Sequence, residues 1–137
     1  MRELVRDAYA VYVARIGREP APMRSDYDAL VREGSVTVAL DEGSIVGVLV
    51  LRPVRDSLLL ENVAVAPREQ RRGIGRALIG FAEERARELG FTKISLYTNA
   101  RMTENVALYR KLGYVEVGRR RERGFERVYF EKAVRSR

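Results

Sequence analysis

Gln70-Arg71-Arg72-Gly73-Ile74-Gly75-Arg76 stands where the period of the chain changes. Before it, Ser57 to Val65 reads as a strand. After it, Ile74, Leu78, Phe81, Ala82, Ala86 and Leu89 recur at helical spacing until Gly90 closes the pattern. The first turn of a helix carries main-chain N–H groups with no earlier carbonyl to bond and the positive end of the helix dipole, so it attracts anions. Glycines there let a phosphate approach the backbone without a Cβ in the way. Arginines on both sides add charge, and the stretch is a pyrophosphate cradle in physical terms. It is neither of two common nucleotide loops. A dinucleotide fingerprint needs a third glycine where Leu78 stands, and a P-loop needs Gly-Lys-Ser/Thr.

Working outward, Leu4, Ala8, Val11, Tyr12 and Ile16 recur at helical spacing, and Pro20 and Pro22 make Gly17 to Met23 a loop. Ser25 reads as the N-cap of a short second helix that stops at Gly34. Ser35 to Leu40, Ile45 to Leu51 and Ser57 to Val65 read as an antiparallel meander, with turns at Asp41-Glu42-Gly43-Ser44 and Pro53 to Asp56. Downstream of the long helix, Thr92 to Tyr97 reads as a strand. It is expected parallel to Ser57–Val65 through a right-handed crossover. Thr103 to Leu112 is a helix ended by Gly113. Tyr114 to Arg120 and Arg127 to Ala133 are a closing pair of strands. The order ααβββαβαββ predicts an α/β chain: a mixed sheet flanked by helices, expected to form one domain over residues 1–137.

Composition narrows the chemistry. Cysteine and histidine are both absent from the 137 residues. That excludes a disulfide, a thiol nucleophile, a Ser-His-Asp triad and any Cys- or His-ligated metal, and no metal is expected. Acid–base work falls to Glu, Asp, Tyr, Lys or water. No apolar run reaches membrane-spanning length and no signal peptide stands at the N-terminus, so a cytoplasmic protein is expected. The formal charge of +7 suits a polyanionic partner such as a phosphorylated cofactor. Arg119, Arg120, Arg121 and Arg123 form a second basic run. Nucleic-acid binding is not expected from it, because no recognition helix, zinc pattern or aromatic RNA-binding signature accompanies it.

Gln70 to Gly75 resembles the central acetyl-CoA motif of the GNAT superfamily of N-acetyltransferases, Gln/Arg-x-x-Gly-x-Gly/Ala. Asn105-Val106-Ala107-Leu108-Tyr109-Arg110-Lys111-Leu112-Gly113-Tyr114 is similar to the family's second signature, an Asn ahead of a Leu-Tyr pair and a Leu-Gly-aromatic ending. The resemblance covers nearly the whole chain. It implies a GNAT-like fold and acetyl-CoA as cosubstrate. The backbones of Val63, Ala64 and Val65 would take the pantetheine arm, and the N–H groups of Arg71, Arg72, Gly73, Ile74, Gly75 and Arg76 the pyrophosphate. Asn105 would contact the cofactor, and Tyr109 would lie by the thioester sulfur.

Amine acetylation asks for a base, a donor to the thioester carbonyl and a proton for the departing thiolate. By resemblance the Val63 N–H is the carbonyl donor. Tyr109 is the candidate acid, or else an ordinary core aromatic between Val106 and Leu112. Glu61 is the candidate base, through water. Strand alternation puts it on one face with Leu59, Val63 and Val65, where burial would raise its pKa. A structural ion pair with an arginine, or a place at the sheet's wet edge, is the other reading. The acceptor, a small molecule or a protein, is expected to meet the Gly17–Met23 loop, the second helix and the last hairpin, with Tyr27, Tyr97 and Arg121 as candidates. A non-catalytic acyl-CoA-binding module remains the alternative function.

One departure stands out. The family begins with a strand ahead of its first helix, and here Met1 directly precedes the helical pattern, so the first strand is expected to be absent. Ser35–Leu40 then becomes a weakly charged sheet edge. A homodimer covering it is the favoured expectation, beside a covering segment of the same chain or a start site placed too late.

Overall fold

The computed structural model describes residues 1–135, without the side chains of Arg71 and Arg72. Helix α1 spans Arg2–Ile16 and ends at Gly17, whose φ of 91° lets its N–H turn back to the Val13 carbonyl. Its buried stripe is Leu4, Val5, Ala8 and Tyr9, so the chain packs one residue around from the expected face and leaves Val11 outside. Pro20 leads into a 3-10 turn over Ala21–Arg24, and helix α2 runs Tyr27–Arg32. The cap of α2 is Asp26 rather than Ser25: its carboxylate accepts the Ala29 N–H at 3.2 Å.

The strands are β1 Val36–Asp41, β2 Ser44–Val54, β3 Ser57–Val65, β4 Lys93–Asn99, β5 Val115–Glu122 and β6 Phe125–Ala133. A 3-10 turn at Pro67–Arg72 leads from β3 into α3, Ile74–Glu88, and α4 is Thr103–Lys111. Among the described residues the sheet runs in the order β1-β2-β3-β4-β6-β5. Only β3 and β4 lie parallel. As expected, β1 is an edge, with Val38 and Leu40 exposed. No helix among the described residues is long and apolar enough to cross a membrane.

Alternation along the strands feeds two cores. Leu49, Leu58, Leu60, Ile94, Leu96, Val128 and Phe130 pack with Leu78, Ile79, Ala82 and Ala86 of α3. Phe81 of α3 and Leu89 at its C-cap stay half-exposed. Val48, Val50 and Ala64 pack on the other face with α1 and α2. One extra residue connects the two arrangements. Val50 pairs with Asn62 but Leu51 pairs with Leu60, so Glu61 is a β-bulge. The bulge reverses the pattern: Leu58 and Leu60 lie on the α3 side, Asn62 and Ala64 on the α1 side. The expected common face of Leu59, Glu61, Val63 and Val65 is therefore broken at Glu61, and Leu59 parts from the valines.

Asn62, buried by the bulge, is fully engaged. Tyr9 donates to its Oδ1 at 2.6 Å, and its Nδ2 donates to the Tyr27 hydroxyl at 2.9 Å, which itself donates to the Pro22 carbonyl at 2.7 Å. This chain ties α1, α2 and the proline loop to β3. Asn62→Ala leaves two buried hydroxyls short of a partner and is expected to lower stability by about 1–3 kcal/mol, read as a lower urea midpoint at unchanged slope.

Candidate active site

β3 and β4 pair only at Leu58–Ile94, Leu59–Ser95 and Leu60–Leu96, although both strands run on. Beyond the bulge they part. β2 still holds β3 as far as Val65, and β6 holds β4 as far as Asn99, so the gap is walled on both sides. The Ala66 N–H bonds the Val46 carbonyl. Antiparallel alternation therefore turns the Ala64 backbone toward β2 as well, and the amides of Val63 and Val65 into the gap. Of the three backbones expected to serve pantetheine, Val63 and Val65 face it and Ala64 does not. The Val63 carbonyl accepts from Tyr9 at 3.2 Å and that of Val65 from Gln70 Nε2 at 3.3 Å, which leaves N–H donors as the free groups.

The gap opens into a cleft lined by Val63, Val65, Gly73, Gly75, Arg76 and Asn105 among others. Gly73 is the N-cap of α3, with φ 80°, a conformation that suits glycine. Its carbonyl accepts the Ala77 N–H. The N–H groups of Ile74, Gly75 and Arg76 precede any intrahelical partner and face this cleft end. A Cβ on Gly75 would meet only the Val65 side chain, at 3.5 Å, so the fold leaves that position open. The Ile74 side chain packs the opposite way, toward β1 and β2. Donors at the cradle and along the gap fit a phosphorylated arm lying between the strands. Arg71 and Arg72 belong to the 3-10 turn, and their side chains fall outside the described residues.

Across the mouth of this cleft, Glu104 of α4 binds α1. Arg15 donates to it at 2.9 Å and Tyr12 at 3.0 Å, and Arg101 Nη1 reaches the Arg15 carbonyl at 3.0 Å. The Arg15 hydrogen bond holds the Glu104 carboxyl below its ordinary range. Burial, then the bond to Glu104, pushes the Tyr12 phenol up to about 12.

A second cleft lies on the α1 side of the sheet. Tyr27, Pro20, Pro22, Tyr97, Phe125 and Arg127 line it, so the proline loop, α2 and the last hairpin build it as expected. Arg121 does not. It pairs across from Glu126, on the opposite face of the hairpin to Arg127. The two clefts meet at Tyr9, Val63, Asn105 and Tyr109, which line both.

Tyr109 is buried and packs edge-on against Tyr114 at 5.7 Å and beside Phe130 at 6.1 Å. Burial holds its phenol well above the ordinary 10.0. Its hydroxyl has no hydrogen-bond partner among the described residues. Asn105 Nδ2 makes one weak contact, to the Met102 sulfur at 3.6 Å. Glu61 lines the second cleft. Its Oε1 lies 3.5 Å from Arg52 Nη1, while its Oε2 is buried without a partner. The ion-pair reading of Glu61 is met through one oxygen, and the other is left without a partner at the cleft.

The sequence reading missed Tyr9, Asn62, Phe125 and Arg127. Tyr9 was read off the wrong side of the α1 stripe. Asn62 needs the bulge to turn inward, and no local pattern signals a bulge. Phe125 falls between the two expected closing strands, and Arg127 opens the second of them, where no local pattern marks either as a site residue.

Residues 1–114 match the acetyltransferase (GNAT) family. The chain is 33% identical over 87 residues to N-acetyltransferase family 8 member 3 of Rattus norvegicus, covering 59% of this chain and 38% of that protein. It thus spans well under half the length of that relative. In fold it is similar to the PaiA N-acetyltransferase of Thermoplasma acidophilum, solved in complex with coenzyme A, with a TM-score of 0.78 at 19% identity over 96% of this chain and 89% of that one. Ard1 of Thermoplasma volcanium gives a TM-score of 0.76 at 19% identity, over 99% and 95%. A matched family over most of the chain, on a sheet that parts beside a glycine-capped helix, gives one conclusion: the chain belongs to the acetyltransferase (GNAT) family.

Proposed function

We propose that the chain works as one N-acetyltransferase domain and passes the acetyl group of acetyl-CoA to a primary amine by direct attack on the thioester. The observation that carries this is the junction of the two clefts, where Tyr109, Asn105 and Val63 stand between a phosphate cradle and a separate aromatic pocket. Acetyl-CoA supplies the activated acyl group. The cradle amides of Ile74, Gly75 and Arg76 hold its pyrophosphate, and the Val63 and Val65 amides align its arm. Asn105 offers its side-chain amide beside the arm.

An ammonium must lose a proton before its nitrogen can attack. Glu61 Oε2 takes that proton through a water in the second cleft. As the C–N bond forms, the Val63 N–H donates to the thioester oxygen, where negative charge grows. The C–S bond then breaks, Tyr109 gives its phenolic proton to the sulfur, and the second proton shed by the new amide nitrogen returns to the Tyr109 oxygen through water. A raised pKa keeps that proton on Tyr109 through pH 10.0, its ordinary value, so the acid form persists across the working range. A non-catalytic acyl-CoA binder would share the cradle and lack the turnover.

Three variants test this reading. Gly75→Glu should fold, because the position is open, and should weaken acetyl-CoA by roughly tenfold or more in calorimetry; unchanged affinity removes the cradle. Tyr109→Phe should cut kcat by about a hundredfold while acetyl-CoA affinity holds; equal rates at every pH assign the proton to solvent. Glu61→Gln should cut kcat/KM by roughly tenfold to a hundredfold, measured as thiol release, with acetyl-CoA affinity held. An unaltered rate leaves water alone as the base.

A further inference from the structure

The second cleft carries a charge pattern that general amine acetylation does not need. Arg120 of β5 stands directly opposite Arg127 of β6. Like charges at directly opposed positions destabilise an antiparallel pair. Both lie on the α1 side of the sheet, on its last two strands, and both sit on tyrosines: Arg127 lies 4.6 Å from the Tyr97 ring and Arg120 5.0 Å from the Tyr129 ring. The two rings are themselves neighbours at 5.5 Å. Arg18 lies 3.7 Å over Phe125 on the same rim. Among the described residues no carboxylate forms an ion pair with Arg18, Arg120 or Arg127. Glu122, on the same face, is taken up by the Tyr129 hydroxyl.

Aromatic rings orient a guanidinium without neutralising it. Arg127 is half-buried and lines the cleft, so its charge is partly desolvated as well as unpaired. Planar forks of this kind suit a carboxylate or phosphate held by two parallel N–H bonds. Glu61 lines the same cleft, and its Oε2, without a partner, is the group that attracts an ammonium. Much of the remaining lining is apolar: Pro20, Pro22, Tyr27, Leu30 and Phe125. Arg120 and Arg127 belong to β5 and β6, which lie beyond the family match at residue 114.

We propose that the acceptor is an amine with an apolar body and an anionic far end, and that Arg127, with Arg120 beside it, reads that anion. This rests on the acetyltransferase reading above and narrows it. Cationic acceptors, such as polyamines and aminosugars, are then disfavoured by the same arginines.

The test is a series of ω-amino carboxylates from glycine to 8-aminooctanoate, each compared with the alkylamine and the diamine of equal length. Thiol release from acetyl-CoA is the readout. At the best length the carboxylate-ended amine should show a KM about tenfold to a hundredfold below both others. The double variant Arg120→Gln/Arg127→Gln should erase most of that gap, with acetyl-CoA affinity unchanged in calorimetry. At that length, the aminoalkylphosphonate decides between carboxylate and phosphate as the preferred anion. Diamines or alkylamines that equal the carboxylates at every length overturn the proposal, as does a gap that survives the double variant. If no amine is turned over while acetyl-CoA binds, the acetyltransferase reading fails instead. The anion site is then decided by titrating 6-acetamidohexanoate against N-hexylacetamide into the CoA-loaded protein. Tighter binding of the carboxylate, lost in the double variant, sustains the site, and equal binding sinks it.

Discussion

Two parallel strands that stop pairing midway are the constraint around which this molecule is built. A strand pair that ends at Leu60 and Leu96 leaves main-chain donors with no protein acceptor, and unmade backbone bonds are costly when water is excluded. The fold meets this cost by bracing the gap on every other side. Antiparallel neighbours hold β3 and β4 along their outer edges, and the Ser57 and Ser95 hydroxyls, 2.7 Å apart, pin the closed end. The Glu61 bulge bends β3 away where the parting begins. The gap is therefore a fixed slot with N–H donors on its wall, and an extended polar ligand can complete the sheet there without reorganising it.

The same bulge sets the polarity of the second cleft. It turns Asn62 into the α1 side, where the Tyr9–Asn62–Tyr27–Pro22 chain of hydrogen bonds locks the roof of the pocket to the strand that walls the slot. It also brings the Glu61 carboxylate to the pocket wall with one oxygen held toward Arg52 and one left over. Cofactor geometry and acceptor geometry thus share one residue insertion. A shift of register at Val50/Leu51 would displace both together.

The cofactor half of the site was legible in the sequence because it is local. Gly73 and Gly75 sit in adjoining positions at one helix start, and the chemistry they provide is main-chain chemistry that a short motif can specify. Element order followed from periodicity, and the edge position of β1 from the resemblance to a family that begins with a further strand. Errors arose where a single residue offset decides a face: the α1 stripe falls on Leu4, Val5, Ala8 and Tyr9, the α2 cap on Asp26, and β3 changes sides at Glu61. Periodicity has no term for an inserted residue.

The acceptor half is non-local, and its charge shows why composition misleads there. Arg119, Arg120, Arg121 and Arg123 look like one basic patch in the sequence. Pairing in β5 splits them. Arg119 pairs across from Val128 and bonds Glu116, and Arg121 pairs across from Glu126, both on one face. Arg120 alone joins Arg127 on the other. Two of the run are thus placed beside acidic neighbours, and the cation that matters is paired with an arginine seven positions away that belonged to no run. A surface of net charge +7 would attract any polyanion at long range. What distinguishes an acceptor is the place where guanidinium groups stand beside an apolar wall without an ion-pair partner among the described residues, and strand pairing makes such a place at Arg120 and Arg127, with Arg18 at its rim.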